Sequence, residues 1–279
     1  MNLCRVWIAA AVLAIAAAPL FASPAMAAGT PSEVCTQDIA ANNDRAAIDD
    51  CTKAIQANPK DGAAFESRCS ANGNLGNNTQ AVADCTQAIA LDPQNSDAFA
   101  LRCLVNLQSG NIQGAMSDCT QAVTLNPQDA EAFRTRCAAN GELGNAAAAI
   151  ADCAKAIALD PQNSSAYQNR CSAYDDSGNY PAALADCTRA IELEPTNEAA
   201  FASRCSVHLN MGDLKAALAD CDRALELDPK DEATYYRRGL VNESLGNKAQ
   251  AVADLKRALS LDPSDADAQS ELKKLTAAP

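Results

Sequence analysis

The chain is 279 residues long, carries a formal charge of −13 and contains 4% aromatic residues. That acidity argues against binding nucleic acid or an anionic membrane surface, and is compatible with basic partners or with solubility alone. So few aromatics would make a thin globular core, whereas closely packed helices with small residues at their contacts suit the composition.

Residues 1–27 read as a secretory signal peptide. Arg5 gives a short positive region, Val6 to Leu20 is apolar, and Ala25-Met26-Ala27 is a small-x-small cleavage signal. An uncleaved N-terminal anchor is the competing expectation. No other stretch is apolar for long enough to span a bilayer, and Ser32-Glu33-Val34 before Cys35 is not a lipobox. Cleavage predicts a periplasmic or secreted protein with no membrane attachment. It removes Cys4 from the 13 cysteines and leaves an even number, which in an exported chain implies a disulfide framework.

From residue 28 the chain repeats one pattern every 34 residues, at 28–61, 62–95, 96–129, 130–163, 164–197, 198–231 and 232–265. Each unit reads as two short amphipathic helices. An aromatic stands near the start from the second unit onward (Phe65, Phe99, Phe133, Tyr167, Phe201, Tyr235), and a glycine such as Gly76 or Gly212 closes the first helix. Alanines seven apart, as Ala81 and Ala88, line one face of the second helix. A proline from Pro59 to Pro263 ends each unit, because the residue before proline is disfavoured in helix. Residues 266–279 read as a C-terminal capping helix and tail, with Leu272 and Leu275 on one face.

Two further series accompany the cysteines. Arg68, Arg102, Arg136, Arg170, Arg204 and Arg238 each precede a first-helix cysteine or its equivalent, and aspartates from Asp50 to Asp254 precede the second-helix one. A ladder of Arg–Asp pairs that orients neighbouring helices follows; whether Arg68 meets Asp84 or Asp50 stays open. His208 shares its position with Asn72, Asn106, Asn140 and Tyr174 and has no nucleophile or metal ligand beside it, so a structural role is expected. There is no phosphate loop, nucleophile elbow or C-x-x-C, so no catalytic residue, metal or cofactor is expected.

The 34-residue period, the early aromatic, and Gly239, Ala251, Ala258 and Pro263 of the seventh unit resemble the tetratricopeptide repeat family over essentially the whole mature chain. The resemblance implies an all-α, right-handed α-solenoid of seven helix-turn-helix repeats closed by a capping helix. The chain departs from the family at two positions. Cys35, Cys69, Cys103, Cys137, Cys171 and Cys205 replace the small first-helix residue. Cys51, Cys85, Cys119, Cys153, Cys187 and Cys221 replace the large second-helix residue. Turn geometry permits pairing either within a unit (Cys69–Cys85) or between units (Cys51–Cys69). Pairing within units uses every cysteine, whereas pairing between units strands Cys35 and Cys221, so parity favours the former. Each bridge would close a loop of about 15 residues, worth about 3 kcal/mol in the chain-entropy model.

The resemblance also implies a concave groove lined by first helices. Its positions fall here on Glu66, Leu104, Leu107, Arg134, Gln168, Leu209, Tyr236 and Leu240, among others. Family members that clamp a C-terminal carboxylate use basic and amide groups. Lysine is missing from every groove position here, so that activity is not expected. Three functions compete. The first is an exported scaffold, not an enzyme, that binds a peptide or protein segment in the groove. The second is a self-associating envelope component without a dedicated ligand. The third is a thiol–disulfide exchanger, which would need a free reactive thiol.

Overall fold

A computed structural model of the chain describes residues Thr30–Ala277; the expected signal peptide and mature N-terminus lie outside them. The described residues form fifteen helices: α1 Pro31–Ala40, α2 Asp44–Ala57, α3 Gly62–Asn74, α4 Asn78–Leu91, α5 Ser96–Gln108, α6 Ile112–Leu125, α7 Ala130–Glu142, α8 Ala146–Leu159, α9 Ser164–Asp176, α10 Tyr180–Leu193, α11 Glu198–Met211, α12 Leu214–Leu227, α13 Glu232–Ser244, α14 Lys248–Leu261 and α15 Ala266–Ala277. From α3 onward, each odd-numbered helix begins 34 residues after the last.

The punctuation acts through backbone geometry. Gly76 takes φ 74° and closes α3, with the Gly76 amide bonded to the Gly73 carbonyl and the Asn77 amide to the Asn72 carbonyl. The first unit lacks this glycine, and Asn42 takes the left-handed conformation at φ 55° instead, as asparagine can. Asn58, before Pro59, is extended (φ −138°, ψ 94°) and ends α2. Three residues on, the Asp61 carboxylate accepts from the Ala64 amide and starts α3. α1 begins later than its counterparts, because Thr30 and Glu33 form a capping box and Pro31 occupies the first turn.

Consecutive helices pack as antiparallel pairs, and each pair packs against the next to form an α-solenoid. The core is distributed in the same way. One buried cluster joins Cys69, Ala81 and Cys85 of the second unit to Val105 of the third, and the pattern recurs down the stack. Each unit thus completes its core with a residue from its neighbour. At the C-terminal end, Leu272 and Leu275 of α15 cover the cluster of Leu255, Ala258 and Ala268. No helix among the described residues is long and apolar enough to cross a membrane.

Odd-numbered helices contact one another from α1 to α13, while no comparable contact joins successive even-numbered helices. The odd-numbered helices therefore form the shorter, inner side of the stack.

Candidate interaction groove

The inner face is held in place by two repeated linkages. The first is covalent: Cys35–Cys51, Cys69–Cys85, Cys103–Cys119, Cys137–Cys153, Cys171–Cys187 and Cys205–Cys221 are disulfides, all within units. Their Cα atoms stand 4.8–5.4 Å apart, within the usual range for a bridge. All twelve sulfurs belong to residues at most 1% exposed. The seventh unit fills the same volume differently. A Cβ added to Gly239 would lie 3.1 Å from Leu255 Cγ, so leucine on one helix leaves little room beyond glycine on the other.

The second linkage is the Arg–Asp ladder, which runs within units. Arg68 Nε donates to Asp84 Oδ2 (2.9 Å) and Nη2 to Asp84 Oδ1 (2.7 Å), a bidentate pair. The same pair recurs as Arg102–Asp118, Arg136–Asp152, Arg170–Asp186, Arg204–Asp220 and Arg238–Asp254. Each guanidinium also lies over its unit's early aromatic, as Arg68 over Phe65 at 5.7 Å. In four of the six pairs, those of Arg68, Arg102, Arg204 and Arg238, the remaining nitrogen reaches back one unit, as Arg68 Nη1 to Thr52 (3.0 Å) and Arg238 Nη1 to Asp222 (2.7 Å). The ladder therefore also touches the preceding unit. Asp50 of the first unit has no such arginine, since Val34 precedes Cys35, and it pairs with Lys53.

A third ladder member lies beside these two. Asn72, Asn106, Asn140 and Asn242 each donate to their unit's aspartate, as Asn106 Nδ2 to Asp118 Oδ2 at 2.9 Å. The recurrence of asparagine at this position was the available signal. His208 takes the same place, with Nε2 3.7 Å from Asp220 Oδ2 and Nδ1 buried without a hydrogen-bond partner.

The groove residues fall into distinct settings. Glu66 accepts from Asn95 Nδ2 (2.6 Å), and Arg134 is held by Glu131 one turn earlier on α7. Gln168 Nε2 donates to Ser203 Oγ (3.1 Å), and Asp175 accepts from Ser206 (2.8 Å) and Asn210 (2.9 Å), tying α9 to α11. Leu107 packs against the Cys103–Cys119 cluster and Leu209 against the Cys205–Cys221 cluster. Tyr236 packs against the Leu255 cluster, where burial and the nearby Asp267 raise its phenol. Leu104 and Leu240 are half-buried, and Leu104 lines a recess of about 200 Å³ between α5 and α7.

One electrostatic feature was not visible in the sequence. Burial, then the Asp231 carboxylate, push Glu198 up to about 7; burial, then Asp265, push Glu232 up to about 7. These two pairs occupy equivalent unit junctions. In the fifth unit the equivalent pair is neutral, Asn197 Nδ2 donating to Ser164 Oγ at 2.7 Å. Among the described residues, no group of three or more His, Cys, Asp or Glu side chains gathers as a metal site would require.

Tetratricopeptide repeat family models match residues 71–130, 139–163, 164–197 and 206–272. No curated protein matches the sequence. Among solved structures, a tetratricopeptide repeat protein from Parabacteroides merdae ATCC 43184 superposes with a TM-score of 0.67 at 20% identity, over 90% of this chain and all of that one. A chain of the APC/C hetero-tetramer Cut9–Hcn1 gives 0.74 at 16% identity, over 81% of this chain and 45% of that one. The type IV pilus biogenesis factor PilW gives 0.65 at 20%, over 76% of this chain and 98% of its own. At such identities the likeness is one of fold.

Proposed function

Because the chain belongs to the tetratricopeptide repeat family, we propose that it is an exported interaction scaffold that binds a peptide or protein segment along its inner face. One observation carries this reading. The frame is nearly invariant from unit to unit, with arginine, cystine, aspartate, glycine and alanine at fixed places. The groove positions on that frame differ: the fifth residue of successive units is Glu66, Ala100, Arg134, Gln168, Ala202 and Tyr236. A repeated frame carrying a varied surface is what recognition of one particular partner requires, and a purely structural filament would not need the variation.

The disulfides support export, since such bridges persist in oxidising compartments. Their burial also supports a mechanical role over thiol exchange, which needs an exposed, reactive thiolate. The compartment can be tested through Trp7, the one tryptophan of the chain. The exported protein should begin near residue 28 by intact mass and show no tryptophan emission. Retention of Trp7 in that fraction would overturn the cleavage.

Binding is tested with a photo-crosslinking residue at Glu142, the exposed last residue of the inner helix α7, or at exposed Gln87 on the outer helix α4, in cells of the native organism. A discrete adduct from position 142 alone is expected. Equal adducts from both positions, or none from either, would refute the scaffold.

A further inference from the structure

Lysine is segregated between the two sides of the solenoid. No lysine lies on any of the first helices α1, α3, α5, α7, α9, α11 and α13; every lysine stands on a second helix, an inter-unit turn or α15. Six of the first-helix arginines are committed to ladder aspartates, and Arg134 is held by Glu131. The carboxylates of the inner face therefore meet few free cations; of the first-helix arginines, Arg237 on α13 lies outside these pairings.

The recess between α5 and α7 adds shape to that charge. Ala100, Leu101, Leu104 and Ala132 line it together with the acids Asp97, Asp129 and Glu131, and Arg134 stands beside it, bonded to Glu131 and to the lining Thr135. Asp129 uses Oδ1 to cap α7 by accepting from the Glu131 and Ala132 amides, which leaves Oδ2 without a hydrogen bond inside the protein. Asp97 is exposed and accepts only from the Ser96 hydroxyl; Glu131 is partnered by Arg134. At about 200 Å³ the recess is below the 300–1,000 Å³ typical of whole-ligand pockets, so it suits a single side chain of a longer segment.

We propose that this recess receives a lysine or arginine side chain of an extended, cationic segment of a partner protein. The aliphatic stem lies on Leu101 and Leu104, and the charged head sits between Asp97 and Asp129. This rests on the scaffold reading above and specifies the chemistry of the partner.

The chain's own repeats supply substitutions that spare the fold. Asn95, Asn163 and Asn197 occupy the capping position of Asp129, and Ser70, Ser172 and Ser206 occupy the position of Leu104. The disulfide-bonded protein is incubated with a bead-displayed random nonapeptide library, and bound beads are sequenced. We expect enrichment of Lys and Arg flanked by small or apolar residues. Peptides so selected should bind Asp97→Asn/Asp129→Asn about ten-fold more weakly, and should also weaken with Leu104→Ser. A charge-matched outer-face control, Asp49→Asn/Glu192→Gln, should bind them as wild type does.

If uncharged or acidic peptides are enriched, the groove still binds and the cationic assignment falls. Cationic peptides that bind all variants alike would mean attraction to the net charge alone, and the recess assignment falls. No enrichment over bare beads would overturn both this assignment and the scaffold reading.

Discussion

Removing Asp118 tests whether the ladder is a structural joint. Its carboxylate accepts from Arg102 Nε (2.8 Å), Arg102 Nη2 (2.6 Å) and Asn106 Nδ2 (2.9 Å). The Asp118 side chain is 7% exposed and that of Arg102 20%. Asp118→Ala strands a largely buried guanidinium and a buried amide. Breaking one partner of a buried pair costs about 3–5 kcal/mol, and the residual exposure of Arg102 places this case at the lower end, about 3 kcal/mol. The molecule contains its own control. Asp50 holds the equivalent place in the first unit but faces the surface Lys53 and the Asp38 side chain with no arginine, so Asp50→Ala should leave stability close to wild type. Because repeat arrays need not unfold in one step, the readout is amide hydrogen exchange of α5 and α6 under non-reducing conditions. A loss of about 3 kcal/mol speeds exchange there by about a hundred-fold. Replacing both partners, as Arg102→Met/Asp118→Leu, should recover most of the loss, since an apolar pair of similar volume is often no less stable. Equal effects of Asp118→Ala and Asp50→Ala, or less than a ten-fold change for Asp118→Ala, would refute the reasoning.

Three further outcomes follow from the same geometry. Cys103→Gly/Cys119→Leu copies the seventh unit's solution into the third. It loses a staple worth about 3 kcal/mol and adds a helical glycine costing about 1, against about 2 regained from leucine burial. A net loss of about 2 kcal/mol should appear in denaturant unfolding, and an unchanged midpoint would show that the staples add nothing beyond packing. Gly141 and Gly144 give an opposed pair, since neither meets an atom within 4 Å at its would-be Cβ. Gly144 stands at φ 71°, so Gly144→Ala should destabilise by about 1 kcal/mol, while Gly141→Ala inside α7 should stabilise by up to about 1 kcal/mol. A thermal melt in which both move the same way contradicts that account. Glu198 and Glu232, raised from 4.5 to about 7, hold more protons in the folded state than in the unfolded one across that window. Stability from these groups is therefore full below about pH 4.5 and declines as pH rises through about 7. Glu198→Gln/Glu232→Gln should flatten that decline and raise the melting temperature at pH 8; a variant that melts lower at pH 8 counts against it.

Most of the fold is legible in the sequence because it rests on local rules. The glycine at each hairpin turn, the residue before each proline and the 34-residue period all act within one unit, so a one-dimensional reading reaches them. The disulfide pairing is different in kind. Geometry near Gly76 and near Pro59 permits both pairings, and only the parity of the whole set favours one. The arginine ladder was ambiguous for a related reason: Asp84 and Asp50 flank the same cystine positions, and choosing between them requires the direction of each guanidinium. In the structure Arg68 bonds Asp84 with two nitrogens and uses the third to reach Thr52 of the preceding unit. The acidic junctions were hidden because Glu198 and Asp231 lie a full unit apart in the chain, as do Glu232 and Asp265, and meet only once the units stack.

These linkages divide the molecule's stiffness unevenly. Cystines and bidentate arginines join the two helices of a unit, and among the described residues no disulfide joins one unit to the next. Between units there are the distributed clusters, single arginine nitrogens and side-chain bonds such as Gln168 to Ser203. A covalent staple holds its hairpin through any opening of the stack, whereas these weaker contacts can be exchanged a few at a time. Change in groove curvature is therefore concentrated at the unit junctions, where the recess between α5 and α7 and the paired acids Glu198 and Asp231 lie. The same junctions that would receive a partner's side chains set the pitch of the surface that presents them. A segment bound across two units would brace that surface by adding contacts where the chain itself has no covalent link.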